Sequence, residues 1–265
     1  MALLSGCQKQ DTHPPFIACD SDCGQLPGIA IGTGSPGGGV TTPTSDAGPG
    51  TLTGQVLLLS DQTFTTGALY TSGATITADG ADGSPVSTVW DGADDYSLPG
   101  VARESTNWVG VKPTLVGGDP LLTYRAVDTT TDLDSVTLAM VSSTIYDGIL
   151  NSVSLLRSES EGQVVLTFLS QGTHVPLAGL HVAMQQAEQA LYRSGTTWVV
   201  DDGTSVTDQS GLVVFLNVAP GNAGGTQTVT VTKAAAGTTP AVNAGTFAVK
   251  VVEDAATLAA VDVQL

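Results

Sequence analysis

Aspartates grouped beside glycines are the residues whose types and spacing come closest to a chemical site in this chain. Five of them fall within a short stretch: Asp79, Asp82, Asp91, Asp94 and Asp95. Calcium takes about six to eight oxygen ligands, and short aspartate side chains at glycine turns can supply them. We therefore predict that these five carboxylates converge on calcium at one end of the first folded unit. The alternative is that they are solvated turn residues, since the spacing does not match an EF-hand loop.

Catalytic groups are scarce. The chain has three histidines, His13, His174 and His181, and strand alternation points His181 toward solvent. Neither G-x-S-x-G nor H-E-x-x-H occurs. A G-x-G-x-x-G match begins at Gly32, but Pro36 and a run of glycines follow where a dinucleotide site needs a helix. We predict a protein that is not an enzyme and that holds no cofactor other than the calcium considered above.

Trp108 is the best candidate for an exposed ligand face. It alternates with Val109 and Val111 in a strand pattern, so it points away from the side that those valines bury. A sugar-binding platform needs two or three aromatic rings on one face. Packing at a strand edge is the alternative for this side chain.

A lipidation motif opens the chain. Leu4-Ser5-Gly6-Cys7 resembles the lipobox of bacterial lipoproteins, and the resemblance implies that Cys7 carries the lipid. Gln8 stands where an aspartate marks retention at the inner membrane, which implies the outer membrane. Residues 1–4 are too short for a signal peptide, so we expect the true start upstream and treat residues 1–7 as a truncated signal. A chance cysteine is the alternative.

Two cysteines remain once Cys7 is assigned to lipid. Cys19 and Cys23 form an even pair, which predicts a local disulfide in an oxidising compartment. A metal site with His13 and neighbouring aspartates is the alternative, although the pair lacks a second cysteine or histidine pair at zinc spacing. Residues 8–50 are rich in Gly, Pro, Ser and Thr and predict a flexible tether.

Composition excludes some partners. The formal charge is −17 with only eight basic residues, and those are scattered singly, so nucleic-acid binding is excluded. No stretch is long and apolar enough to predict a membrane span. A hydrophobic content of 41% supports real cores, and the many Thr, Val and Gly residues are typical of a β-rich exterior protein.

Alternating apolar residues predict two β units, at 51–141 and 161–265. Ala74, Ile76 and Ala78 alternate with threonines in the first unit, and Val229 and Val231 do so in the second. Between them, residues 142–160 form a linker. Apolar residues four apart, at positions 145, 149 and 153, follow a serine able to cap and predict a short helix there. We expect it to pack on its own domain, with binding to a partner as the alternative.

The second unit resembles the carboxypeptidase regulatory-like domain. The similarity is carried by four segments, at residues 175–182, 207–211, 215–221 and 228–231. The second segment also predicts a tight turn between two strands, in which Asp208 accepts hydrogen bonds from backbone N–H groups and Gly211 supplies the permissive φ. The similarity implies a non-catalytic, transthyretin-like (Ig-like) β-sandwich of seven strands. The first unit repeats the plan more faintly, with Gly54-Gln55-Val56 paralleling Gly162-Gln163-Val164. A glycine-rich insertion at 221–225 and a long connection at 184–202 depart from the family pattern.

These observations predict an all-β protein of two tandem seven-stranded sandwiches on a tether, anchored by lipid in the bacterial outer membrane and either periplasmic or exposed at the cell surface. We predict a structural or adhesive binding module. Its partners are the membrane and, beyond it, other surface proteins or polysaccharide. A carbohydrate-binding module and a calcium-dependent adhesion domain are the alternatives.

Overall fold

The structure is a computed structural model that describes residues 48–104, 106–115, 119–130, 133–221, 225–235 and 240–265. The predicted lipidation residue Cys7, the predicted Cys19 and Cys23 disulfide and nearly all of the predicted tether 8–50 lie outside these residues.

Strands dominate the described chain. Those of the first half are β1 (Gly50–Gly54), β2 (Val56–Leu59), β3 (Gly67–Leu69), β4 (Ala74–Asp79), β5 (Pro85–Trp90), β6 (Tyr96–Val101), β7 (Asn107–Pro113), β8 (Leu122–Val127) and β9 (Leu138–Val141). Helix α1 (Ser143–Ser152) follows, and then β10 (Gly162–Ser170), β11 (Leu180–Met184), β12 (Ala187–Ser194), β13 (Thr197–Val200), β14 (Leu212–Val218), β15 (Thr226–Lys233), β16 (Val242–Lys250) and β17 (Ala255–Val263). The prediction of a mostly β protein is confirmed.

One sheet of nine strands runs through both halves, in the order β13-β12-β14-β10-β17-β8-β7-β4-β5. The last strand, β17, lies at its centre and pairs in parallel with β10 on one side and with β8 on the other. The predicted arrangement of two separate seven-stranded sandwiches is therefore not confirmed. The physical reason is that β17 is buried on both faces along most of its length, as central parallel strands are, whereas alternation predicted one solvated face.

Three smaller sheets cover the nine-stranded sheet: β1-β6, β3-β2-β9 and β11-β15-β16. We call the face of the large sheet that carries Val109, Arg125 and Val165 the front face, because pairing aligns these residues through Leu258. The opposite side, the back face, carries Trp108 and the other residues whose side chains alternate with those of the front face along each strand.

Each covered region has its own apolar core. In the first half the front face packs against β1-β6 and β2-β9, around residues such as Ile76 and Leu98. In the second half the back face packs against β11-β15-β16, around Phe168 and Phe215. The front face of the second half is covered by α1. The back face of the first half has no covering sheet among the described strands, and Val89 there is 75% exposed.

Helix α1 forms where the sequence predicts it. The Ser142 hydroxyl accepts a hydrogen bond from the backbone N–H of Thr144 at 3.3 Å, and the Asp119 carboxylate accepts one from Ser143 at 2.7 Å. The buried side is Ile145, Tyr146, Ile149 and Leu150, which packs on the large sheet. The helix thus packs within this chain, in a core that contains residues of both halves. Among the described residues, no helix has the length and hydropathy of a membrane span.

The turn before β14 also has the predicted form. Asp208 accepts a hydrogen bond from the Ser210 N–H at 2.8 Å, as aspartates in such turns do. Gly211 has φ of 65°, and a Cβ there would lie 2.5 Å from the Phe168 carbonyl oxygen. Only glycine satisfies both the dihedral angle and the close approach.

Candidate functional site

The five aspartates of the predicted calcium site lie at two ends of one strand. Asp79 ends β4 and Asp82 lies in the turn that leads into β5, whereas Asp91, Asp94 and Asp95 follow β5. The six residues of β5 separate the two groups by roughly 20 Å at about 3.3 Å per residue. The structure therefore does not bring these five carboxylates together.

Two of these carboxylates stabilise their own turns. Asp82 accepts a hydrogen bond from the Ser84 N–H at 2.9 Å, and Asp91 accepts one from Ala93 at 3.0 Å. Such bonds mimic a backbone turn and give short aspartates a local structural role. Within the described ranges, no group of three or more His, Cys, Asp or Glu side chains is placed to hold a metal ion.

Trp108 shares the back face with a second aromatic ring. Tyr124 on β8 lies diagonally across from it, since Trp108 pairs with Ala126 and Gly110 pairs with Tyr124. Gly110 leaves room for the tyrosine ring, because a Cβ there would lie 2.8 Å from Cε1. The Lys250 ammonium lies 5.3 Å from the centre of that ring, within cation–π range.

Both rings of this pair are half-buried rather than fully exposed. Trp108 packs against the core of the second half. Trp108 therefore lies on the opposite face from Val109 and Val111, and the neighbouring core shields part of its ring.

The two described histidines each face an aspartate. His174 Nδ1 lies 3.1 Å from the buried Asp262 carboxylate on β17, and His181 Nε2 lies 3.6 Å from Asp201. The His181 ring also stacks on Tyr192 at 6.3 Å between centroids. The expectation that His181 simply faces solvent is therefore only partly met, since this stacking half-buries it.

A cavity of about 600 Å³ opens between the front face of the large sheet and the β3-β2-β9 sheet. Its walls are mainly apolar: Leu57, Leu59, Phe64, Ala139, Val165, Leu169, Leu212 and Leu258. The β2-β3 connection and the turns around residues 195 and 209 form its mouth. Volume and lining are those of a small-molecule site.

Arg125 lines this apolar cavity although only 6% of it is exposed. Its Nη1 donates a hydrogen bond to the Thr137 carbonyl oxygen. No carboxylate among the described residues forms an ion pair with it. Burial lowers the pKa of the guanidinium to about 10, so Arg125 still carries its charge at neutral pH. A buried charge without a partner is costly and therefore unusual.

The mouth of the cavity carries a second arginine and an aspartate. Arg193 Nε donates to the Gly195 carbonyl at 2.8 Å, and the Gly195 N–H donates to Asp208 at 3.2 Å. Burial alone would raise the pKa of Asp208, but hydrogen bonds from Ser210 and Gly195 outweigh it and hold that pKa below its usual value. Asp208 is thus engaged by its own turn and by the adjacent hairpin.

Sequence reasoning did not single out Arg125. Its strand alternates Thr123, Arg125 and Val127 on one face with Leu122, Tyr124 and Ala126 on the other, and both sets contain apolar residues. Alternation alone therefore does not say which face is buried. The available signal is the isolated charge inside an otherwise uncharged strand.

No protein-family model and no curated protein matches this chain. Among solved structures, the Bacillus anthracis TIE protein is similar at 16% identity and a TM-score of 0.25, over 82% of this chain and 34% of that chain. The shaft pilin SpaA from Lactobacillus rhamnosus GG is similar at 11% and 0.22, over 80% and 97%. The group B streptococcus pilus 2b backbone protein is similar at 11% and 0.25, over 79% and 81%.

The present chain therefore spans about a third of the TIE protein chain. At TM-scores of 0.25 or below, these likenesses support no conclusion about the function of this chain.

Proposed function

We propose that this chain is a non-enzymatic, lipid-anchored module of the bacterial cell surface with a structural or adhesive role. The lipobox-like Leu4-Ser5-Gly6-Cys7 supports the anchor, and the tether-like residues 8–50 support a folded part held away from it. A net charge of −17 suits an exterior protein that stays soluble and avoids anionic lipid.

The observation that carries a structural role is the central position of β17. It pairs with β10 at eight positions, from Gln163 to Ser170, and with β8 at four, from Leu122 to Arg125. Pulling the two halves apart would have to break the backbone hydrogen bonds between β17 and β8 and expose the cores on either face. A sheet that is continuous through both halves suits a module that transmits force between an anchor and a partner.

Replacement of Cys7 tests the anchor. In the native bacterium, Cys7→Ser should move the full chain from the membrane fraction to the soluble fraction and abolish labelling by an alkyne-tagged fatty acid. Cys19→Ser is the matched control, because it makes the same change in the same segment and should leave both readouts unchanged. Membrane retention of the Cys7→Ser protein would refute lipid anchoring.

Single-molecule pulling tests the structural role. With handles at residue 48 and at the C-terminus of the full chain, the continuous sheet predicts one main unfolding event that includes both halves. Two well-separated events of similar length would instead indicate two independent sandwiches and would contradict a sheet that unfolds as one unit in both halves.

A carbohydrate-binding role is the second candidate, favoured by Trp108 and Tyr124 on one open face. If sugars stack there, polysaccharide should change the tryptophan fluorescence of the full chain, and Tyr124→Ala should abolish the change. Thr75→Ala, on the same face but two strands from Tyr124, should leave it intact. An equal response from both variants would exclude this face as the sugar site.

A further inference from the structure

The Arg125 guanidinium is the one charged group that the described structure buries in an apolar cavity. A guanidinium has five N–H donors, and the hydrogen bond seen here uses Nη1 with the Thr137 carbonyl oxygen. Because Arg125 lines the cavity, its remaining donors are available to a molecule that enters. They form a fixed fork that matches the two oxygens of a carboxylate.

Apart from Arg125 itself, Thr137, Thr167 and the polar residues at the mouth, the lining of the cavity is apolar. Arg125 pairs across the sheet with Val109 on one side and Leu258 on the other. Leu57 and Leu59 of β2 line the same cavity, as does Phe64, which packs on Tyr146 at 5.7 Å between ring centroids. An occupant must therefore combine one anionic head with an apolar body.

We propose that this cavity binds a monocarboxylate with an unbranched alkyl tail. The carboxylate pairs with Arg125, and the tail lies along Leu57, Leu59 and Leu258. A cavity of about 600 Å³ lies within the range of about 300–1,000 Å³ found for small-molecule sites. This binding site is additional to the surface role proposed above and does not depend on it.

Charge favours a carboxylate over a more highly charged head group. Arg125 is the one buried cation of the lining, Arg193 at the mouth lies near the Asp208 carboxylate, and the chain as a whole carries −17. A phosphate dianion would bring a second charge with no second buried cation to meet it. A sugar would leave most of its hydroxyls against leucine side chains without hydrogen bonds.

Calorimetric titration of the full chain with decanoate, decan-1-ol and acetate tests the proposal on the wild-type protein. Decanoate and decanol share the tail and differ in the head, whereas acetate has the head alone. We expect decanoate to bind at least about tenfold more tightly than decanol, as a charge-assisted hydrogen-bonded pair allows, and acetate to give no measurable heat. Equal affinities for decanoate and decanol would overturn the proposal.

Arg125→Met tests the residue, because methionine fills much of the same volume without charge. Its affinity for decanoate should fall at least about tenfold, to that of decanol. Arg157→Met is the matched control, since it removes one positive charge from a surface pair with Asp254, outside the cavity lining, and should keep wild-type affinity.

Circular dichroism establishes that each variant is folded before titration. Wild-type affinity in folded Arg125→Met, or an equal loss in both variants, would overturn the assignment of Arg125. Should Arg125→Met fail to fold, the ratio of decanoate to decanol affinity in the wild-type chain still decides the proposal.

Discussion

The charged side chains of the acidic loops in the first half are solvated, whereas the charged side chain of Arg125 is buried in a cavity. Five carboxylates cluster in the sequence between Asp79 and Asp95, yet they lie at two ends of β5, where two of them support local turns. Arg125 stands alone in its strand but is 6% exposed and has no ion-pair partner among the described residues. A solvated charge costs little, so its presence says little about function. Burying a charge without an ion-pair partner costs free energy, so such a charge indicates a function that offsets this cost.

The largest effect on stability should come from Arg125→Met. With no ligand bound, replacing an unpaired buried charge by an apolar side chain of similar length should raise the free energy of unfolding by about 1–3 kcal/mol. Urea denaturation of the full chain measures it. An ordinary hydrogen bond contributes about 1 kcal/mol net. A decrease in the free energy of unfolding by more than this amount would mean that the bond from Arg125 to Thr137 stabilises the fold, and Arg125 would then have a structural role like that of Asp82 and Asp91.

A smaller and pH-dependent effect is expected at Asp208. Asp208→Asn should lower the free energy of unfolding by about 1 kcal/mol at pH 7, because it weakens the hydrogen bonds from Ser210 and Gly195. The folded-state pKa lies below the ordinary value of 3.8. The stabilisation is therefore complete above that value and is lost as the pH falls through the folded-state pKa.

Urea denaturation at neutral pH and at about pH 2, below the ordinary aspartate pKa, checks this sign. The gap between wild type and Asp208→Asn should narrow in acid. A gap that stays constant would show that the negative charge of Asp208 contributes nothing, and would place it with the solvated aspartates.

The smallest effects are expected in the acidic loops. The carboxylates of Asp94 and Asp95 accept no turn hydrogen bond among the described residues. Asp94→Ala and Asp95→Ala should therefore each change the free energy of unfolding by less than about 0.5 kcal/mol, as surface substitutions do. Asp91→Ala should cost somewhat more, since it removes the bond to Ala93.

Millimolar calcium should leave the melting temperature of the full chain equal to that in a chelator, because the two groups of aspartates lie at opposite ends of β5. A ligand that binds only the folded state raises its stability. A clear rise with calcium, abolished by Asp91→Ala, would restore the calcium site that the sequence predicts.

Local features of this fold follow from the sequence. The alternation of Ala74, Ile76 and Ala78 predicts β4, the capping serine predicts α1, and Asp208 with Gly211 predicts the turn before β14. Each depends on residues near one another in the chain, for which propensity and periodicity carry the information.

The central place of β17 does not follow from such rules. Val261 and Val263 alternate as in a half-buried strand, but Ala259, Ala260 and Asp262 between and before them are buried as well. Small residues let neighbouring layers cover both faces, and the parallel partners lie about 90 and 130 residues away in sequence. The cavity cannot be predicted from the sequence for the same reason, because β8, β17 and β2 are far apart in the chain and come together only in the assembled sheet.

In the carboxylate site that we propose, Arg125 is kept charged and buried for its ligand. Thermal unfolding of wild type and Arg125→Met, each with and without decanoate, tests it most directly. We expect the variant to melt higher than the wild type when no ligand is present, and decanoate to raise the melting temperature of the wild type clearly more than that of the variant. A variant that melts lower and is stabilised by decanoate as much as the wild type would contradict it.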